Sequence, residues 1–158
     1  MGNSIDKVSD RLYITGVAGA MNKEKLKELG ITHVLCCPQK CPEAYFPQEF
    51  QYHIVGVDDT STVNLRPHFK PAIEFIHEGV QKGGTLVHCM AGVSRASSFT
   101  IAYLMAKEGL PLAAAHKTVK DARDCICPNV GFWLQLQEFE QILIADRAAE
   151  ETSASSQN

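Results

Sequence analysis

The chain has 158 residues, 45% hydrophobic and 21% charged, an ordinary globular mixture long enough to bury one substantial core. A formal net charge of -3 and a pI near 6.0 exclude the basic footprint of a nucleic-acid binder, so any phosphate site has to be local. No apolar run approaches the ~20 residues of a membrane span and no secretory layout opens the chain, so a cytoplasmic protein without stable membrane insertion is expected.

Arg11 to Thr15 and Ile31 to Cys36 are short β-branched runs, expected as strands around a polar helical stretch from Asn22 to Leu29 that stops at Gly30. Tyr52 to Val57 reads as the next strand. Asp58-Asp59-Thr60-Ser61-Thr62 then forms a polar loop ahead of Pro67, a residue suited to the first turn of a helix. Phe69, Ile73, Ile76 and Val80 line one face of that helix, and Gly83-Gly84 ends it. Thr85 to His88 is a short buried strand running straight into Cys89-Met90-Ala91-Gly92-Val93-Ser94-Arg95, and helical periodicity resumes from Ala96 to Lys107. Two more helices are expected, Leu112 to Asp124 and Val130 to Ala145, the second capped by Asn129. Residues 148–158, rich in Ser, Ala and Glu, are expected to be a disordered tail, which places the domain at residues 1–147. The alternation of strands and helices implies a three-layer α/β domain. Its sheet is mainly parallel with helices on both faces, and its ligand site lies at the carboxyl ends of the strands.

The loop after His88 lies at such an end. Attack on a phosphate monoester needs a nucleophile in line with the leaving oxygen and positive character around the other oxygens. Cys89 supplies the first. Backbone N–H groups of Met90, Ala91, Gly92, Val93 and Ser94, curled between strand and helix, supply part of the second, and Gly92 permits the curl. The helix N-terminus adds its dipole, and Arg95 adds a planar fork that can grip two oxygens. The same field favours a thiolate at Cys89. Cys-x5-Arg alone arises by chance in about a tenth of chains this long, so the flanking strand, helix, His88 and Gly92 carry the weight. An acid is needed to protonate the leaving oxygen, and Asp58 and Asp59 are the candidates on the polar loop. Spacing alone does not choose between them.

The string from His88 to Arg95 resembles the signature of the dual-specificity protein tyrosine phosphatases, particularly the small atypical members. Asp59-Thr60, Asn64-Leu65 and His68-Phe69 resemble the family's acid loop and the helix it enters, and Pro128-Asn129-Val130-Gly131-Phe132 resembles the start of its final helix. The likeness spans roughly residues 5–145. It implies a central sheet of about five strands and a two-step reaction without metal or cofactor. Cys89 takes the phosphoryl group, Asp59 rather than Asp58 protonates the departing oxygen, and Asp59 then activates water. His88 tunes the nucleophile and Asn129 supports the loop. The implied substrates are proteins phosphorylated on tyrosine, serine or threonine.

One position departs from the family. Ala96 stands where a Ser or Thr hydroxyl usually supports the departing thiolate, which implies slow turnover unless Ser94, Ser97 or Ser98 compensates. The rival readings are a phosphate-reading scaffold, and a phosphoinositide or RNA 5′-phosphate enzyme. The non-basic Met90, Ala91 and Val93 disfavour the latter. Some relatives carry a cysteine at the place matching Cys36 that pairs reversibly with the nucleophile, but a small buried apolar residue is the favoured reading of Cys36. Met1-Gly2-Asn3-Ser4 resembles an N-myristoylation site, but Asp6 departs from it, and one acyl chain gives only weak membrane association. The cysteines at 36, 37, 41, 89, 125 and 127 read as reduced thiols without zinc-site spacing, and His33, His53, His68, His77 and His116 as structural. Oligomeric state leaves no mark in the sequence.

Overall fold

The computed structural model describes residues 4–38 and 44–156. In chain order the elements are β1 Asp6–Ser9, β2 Leu12–Thr15, α1 Val17–Ala20, α2 Lys23–Glu28, β3 His33–Pro38, β4 Gln51–Val57, α3 Arg66–Lys82, β5 Thr85–His88, α4 Arg95–Lys107, α5 Leu112–Ala122 and α6 Val130–Ser156. The strands form one sheet in the order β1-β2-β5-β3-β4, parallel throughout except for β1. This is the three-layer α/β architecture expected from the sequence.

Burial explains the order. Every residue of β2, β3 and β5 is buried, as a parallel strand covered on both faces requires. Leu12, Ile14, Leu35 and Val87 point into a core shared with α3, α4, α5 and α6. Their alternate neighbours Tyr13, Val34, Cys36 and Leu86 point into a second core with Ala20 of α1 and Leu26 of α2. The helix α4 is buried on nearly all sides, from Ala96 through Met105. Its hydroxyls survive burial because Ser97, Ser98 and Thr100 donate to the carbonyls of Val93, Ser94 and Ala96 one turn earlier. β5 is therefore a central strand, flanked by β2 and β3 in register (Thr15 beside His88, Cys36 beside His88), and it delivers Cys89 to the middle of the carboxyl edge.

Three local features differ from the sequence reading. The polar β1 and the four-residue α1 lack apolar periodicity, and neighbours hold them in place. α5 ends at Ala122, because Arg123 turns out of the helix at φ -144 and ψ 99. α6 continues through residues 148–156, where a tail was expected. Ala148, Ala149, Glu150 and Glu151 are good helix formers, and this extension is exposed from Ala148 to Ser155. The N-terminal Met1-Gly2-Asn3 sequence and Cys41 lie outside the described residues. Among the described residues no helix is long and apolar enough to cross a membrane.

Candidate active site

Cys89, 2% exposed, sits at the base of the loop between β5 and α4. The next four carbonyls are all engaged on the outside of the turn. Met90 O accepts from the Val17 N–H at 3.0 Å, and Val93 O accepts from the Cys127 N–H at 2.8 Å. Between them, Arg123 Nη2 donates to Ala91 O at 2.9 Å and Arg123 Nε to Gly92 O at 3.1 Å. In a trans peptide the N–H points opposite to the carbonyl of the same plane. Holding these four carbonyls outward therefore turns the N–H groups of Ala91, Gly92, Val93 and Ser94 inward, as a nest for an anion. The Gly92 N–H already donates to Cys89 Sγ at 3.2 Å. Gly92 adopts φ 68, and a Cβ there would lie 2.8 Å from the Thr15 carbonyl, so glycine meets both a backbone and a space requirement.

Arg95 opens α4. Its Nη1 donates to Val57 O at 3.0 Å, while its buried Nε has no hydrogen-bond partner among the described residues. The side chain is thus tethered at one point with a donor in reserve for an oxyanion. Met90, 54% exposed, and Ala91 stand at the rim.

The structure brings Asp59 rather than Asp58 to Asn129, whose Nδ2 donates to Asp59 Oδ1 at 2.8 Å. Asn129 is the expected cap of α6, accepting the Phe132 N–H at 2.9 Å. Its own N–H donates to Ser94 Oγ at 3.0 Å. One residue therefore joins the acid loop to the phosphate loop.

Arg123 was not recognisable in the sequence as part of the site. It is 5% exposed, and besides the two loop carbonyls its Nη1 donates to Asp6 Oδ2 at 2.8 Å and to Ser4 O and Oγ. A buried arginine needs such an anionic partner. At the level of sequence it is only a basic residue near the end of a helix.

Ala96 is fully buried. Of the neighbouring hydroxyls, Ser97 and Ser98 donate to backbone carbonyls, while Ser94 Oγ accepts from the Asn129 N–H and keeps its own O–H as a donor. Among the described residues the donor reaching the Cys89 sulfur is the Gly92 N–H.

His88 points to the other sheet face, where its Nε2 lies 3.0 Å from Cys36 Sγ. Cys89 belongs to the α3–α6 core and Cys36 to the α1–α2 core. Cys36 thus packs in the layer opposite to Cys89, and strand alternation puts Cys37 on the side of Cys89. Burial pushes the His88 pKa down to about 4, against a smaller opposing pull from the Cys89 backbone. Folded His88 stays neutral near pH 5, whereas the unfolded chain takes up that proton near its ordinary 6.5. Stability is then complete above pH 6.5 and falls toward pH 4. His33 and His53, also lowered by burial, act in the same direction. Between pH 7 and 5 the His88 contribution is about 2 kcal/mol. Denaturant titrations at both values check this, with His88→Gln expected to lose less stability on acidification than the parent protein.

Residues 12–142 match the family model described as the dual specificity phosphatase catalytic domain. The chain is 43% identical over 141 residues to the dual specificity protein phosphatase 22-B of Danio rerio, covering 89% of this chain and 76% of that protein. It is 41% identical over 138 residues to the MAP kinase phosphatase with leucine-rich repeats protein 2 of Dictyostelium discoideum. That match covers 87% of this chain but spans only 20% of the relative's length. Among solved structures, a mouse putative dual specificity phosphatase complexed with zinc tungstate superposes with a TM-score of 0.87 at 32% identity, covering 93% of this chain and 92% of that one.

Proposed function

Since the chain belongs to the dual-specificity phosphatase family, we propose that it hydrolyses phosphotyrosine, phosphoserine and phosphothreonine in cytoplasmic proteins through a cysteinyl-phosphate intermediate. The observation that carries the reading is the set of four carbonyls held outward around Cys89, with Arg95 Nε left without a partner. The substrate phosphate sits in the nest of N–H groups and is gripped by Arg95. Cys89 Sγ attacks phosphorus as Asp59 gives its proton to the leaving oxygen. Asp59, now a carboxylate, takes a proton from water, the water attacks phosphorus, and the Cys89 thiolate leaves.

Departure of the thiolate is the weak step, since Ala96 offers no hydroxyl and Ser97 and Ser98 spend theirs on backbone carbonyls. Stopped-flow hydrolysis of a nitrophenyl phosphate, with chelator present, tests both parts. The protein is expected to show a burst of nitrophenol followed by slow turnover that vanadate blocks. Ala96→Ser is expected to raise the steady rate on the order of tenfold and to diminish the burst, because one added donor stabilises the departing thiolate. No hydrolysis at all would overturn the enzymatic reading in favour of a phosphate-reading scaffold. An unchanged burst in Ala96→Ser would remove the role assigned to this position.

A further inference from the structure

The polar segment between β4 and α3 has little internal support: Val63 N–H donates to Thr60 O at 3.2 Å, and Thr60 and Thr62 hydroxyls meet at the surface. What fixes it is the first two turns of α6. Gln135, 6% exposed, uses both ends of its amide on this segment. Its Oε1 accepts the Leu65 N–H at 2.6 Å, and its Nε2 donates to Val63 O at 2.9 Å. Opposite demands from one N–H and one C=O fix the orientation of the amide. The same Nε2 also donates to Gly131 O at 3.2 Å, so side chain and helix backbone form one unit.

Gly131 lies one turn before Gln135 on the same helix face. A Cβ built on Gly131 would collide with the Ser61 carbonyl, so the segment rests directly on the bare helix backbone. The Arg66–Glu138 ion pair just beyond is half exposed on both sides, and such pairs contribute little. The fixed points are thus Asn129 on Asp59, Gly131 beneath Ser61, and Gln135 on Val63 and Leu65.

We propose that Gly131 and Gln135 are positioning residues for the general acid, holding the acid loop so that Asp59 stands ready at the leaving oxygen without a closing movement. The proposal rests on the assignment of Asp59 as the acid. Neither residue belongs to the phosphate loop; both act through the backbone from Ser61 to Leu65, on the C-terminal side of Asp59.

A proton donor matters in proportion to how poor the leaving group is, so two substrates separate positioning from general damage. Phenyl phosphate needs protonation of its leaving oxygen, and dinitrophenyl phosphate does not. Asp59→Asn sets the reference: general acids contribute on the order of 10²-fold or more, and the loss is expected on phenyl phosphate with a small change on dinitrophenyl phosphate. Gly131→Ala, which displaces Ser61, is expected to lose about 100-fold on phenyl phosphate, since misplacement by ~1 Å has that scale of effect. Gln135→Met is expected to lose about tenfold on phenyl phosphate, with less than about threefold on dinitrophenyl phosphate for either variant. Thermal midpoints are recorded alongside, and Gln135→Met carries the test should Gly131→Ala fail to fold. Equal losses on both substrates, or none, in a folded variant would overturn the clamp while the Asp59→Asn result leaves the acid standing. If Asp59→Asn itself treats the two substrates alike, the acid assignment fails and the clamp fails with it.

Discussion

Replacement of Cys89 by serine is expected to lower aryl phosphate hydrolysis by about 10⁴-fold or more, the scale on which loss of a nucleophile acts. A serine hydroxyl at this position would need a base to take its proton, and among the described residues none is hydrogen-bonded to the Cys89 side chain. His88 is turned through the sheet to Cys36, and Asp59 is held by Asn129 at the acid's side of the site. The nest and Arg95 stay intact in this variant, so binding of vanadate or tungstate measured by calorimetry is expected to remain within about tenfold of the parent protein, a change of 1.4 kcal/mol at most. Activity above one per cent of the parent would sink the cysteinyl-phosphate mechanism. Loss of anion binding together with activity would show instead that the loop had collapsed.

Arg123→Met is expected to damage both the fold and the reaction. The substitution keeps volume but strands the Asp6 carboxylate and leaves the Ala91 and Gly92 carbonyls without their donors. Breaking a buried charged pair by removing one partner costs about 3–5 kcal/mol, which corresponds to roughly 10 °C in thermal midpoint for a chain of this size. Without their outer partners the two peptide planes lose their fixed orientation, and the N–H groups facing phosphate lose theirs. A fall of about 100-fold in kcat/KM is expected, the scale of losing one preorganised donor. Arg123→Lys is expected to rescue little, because a point charge cannot reach Asp6 and two carbonyls at once. A variant with the midpoint and kcat/KM of the parent would refute the bracing role.

The strand-loop-helix around Cys89 was legible because its pieces are consecutive: a buried run, a glycine at the turn and a helical period. The mainly parallel character of the sheet followed from the alternation of elements, but its strand order did not. Arg123 and Gln135 were not legible, because each acts across a distance in sequence that periodicity does not register, 31 residues from Gly92 in one case and 72 from Val63 in the other. Spacing left Asp58 and Asp59 open and only the family resemblance chose Asp59, the residue to which Asn129 donates in the structure. The layer that Cys36 occupies was likewise open while the strand register was missing. Two adjacent cysteines on a strand face opposite layers, and pairing with β5 fixes which of them shares a layer with Cys89.

The grip of Ser4 and Asp6 on Arg123 has a practical consequence for anyone preparing this protein. The start of the chain is a lever with its far end under the phosphate loop. A tag fused tightly ahead of residue 4, or a boundary drawn after residue 6 to obtain a tidier domain, would be felt as lost catalysis, though the cut lies more than eighty residues from Cys89.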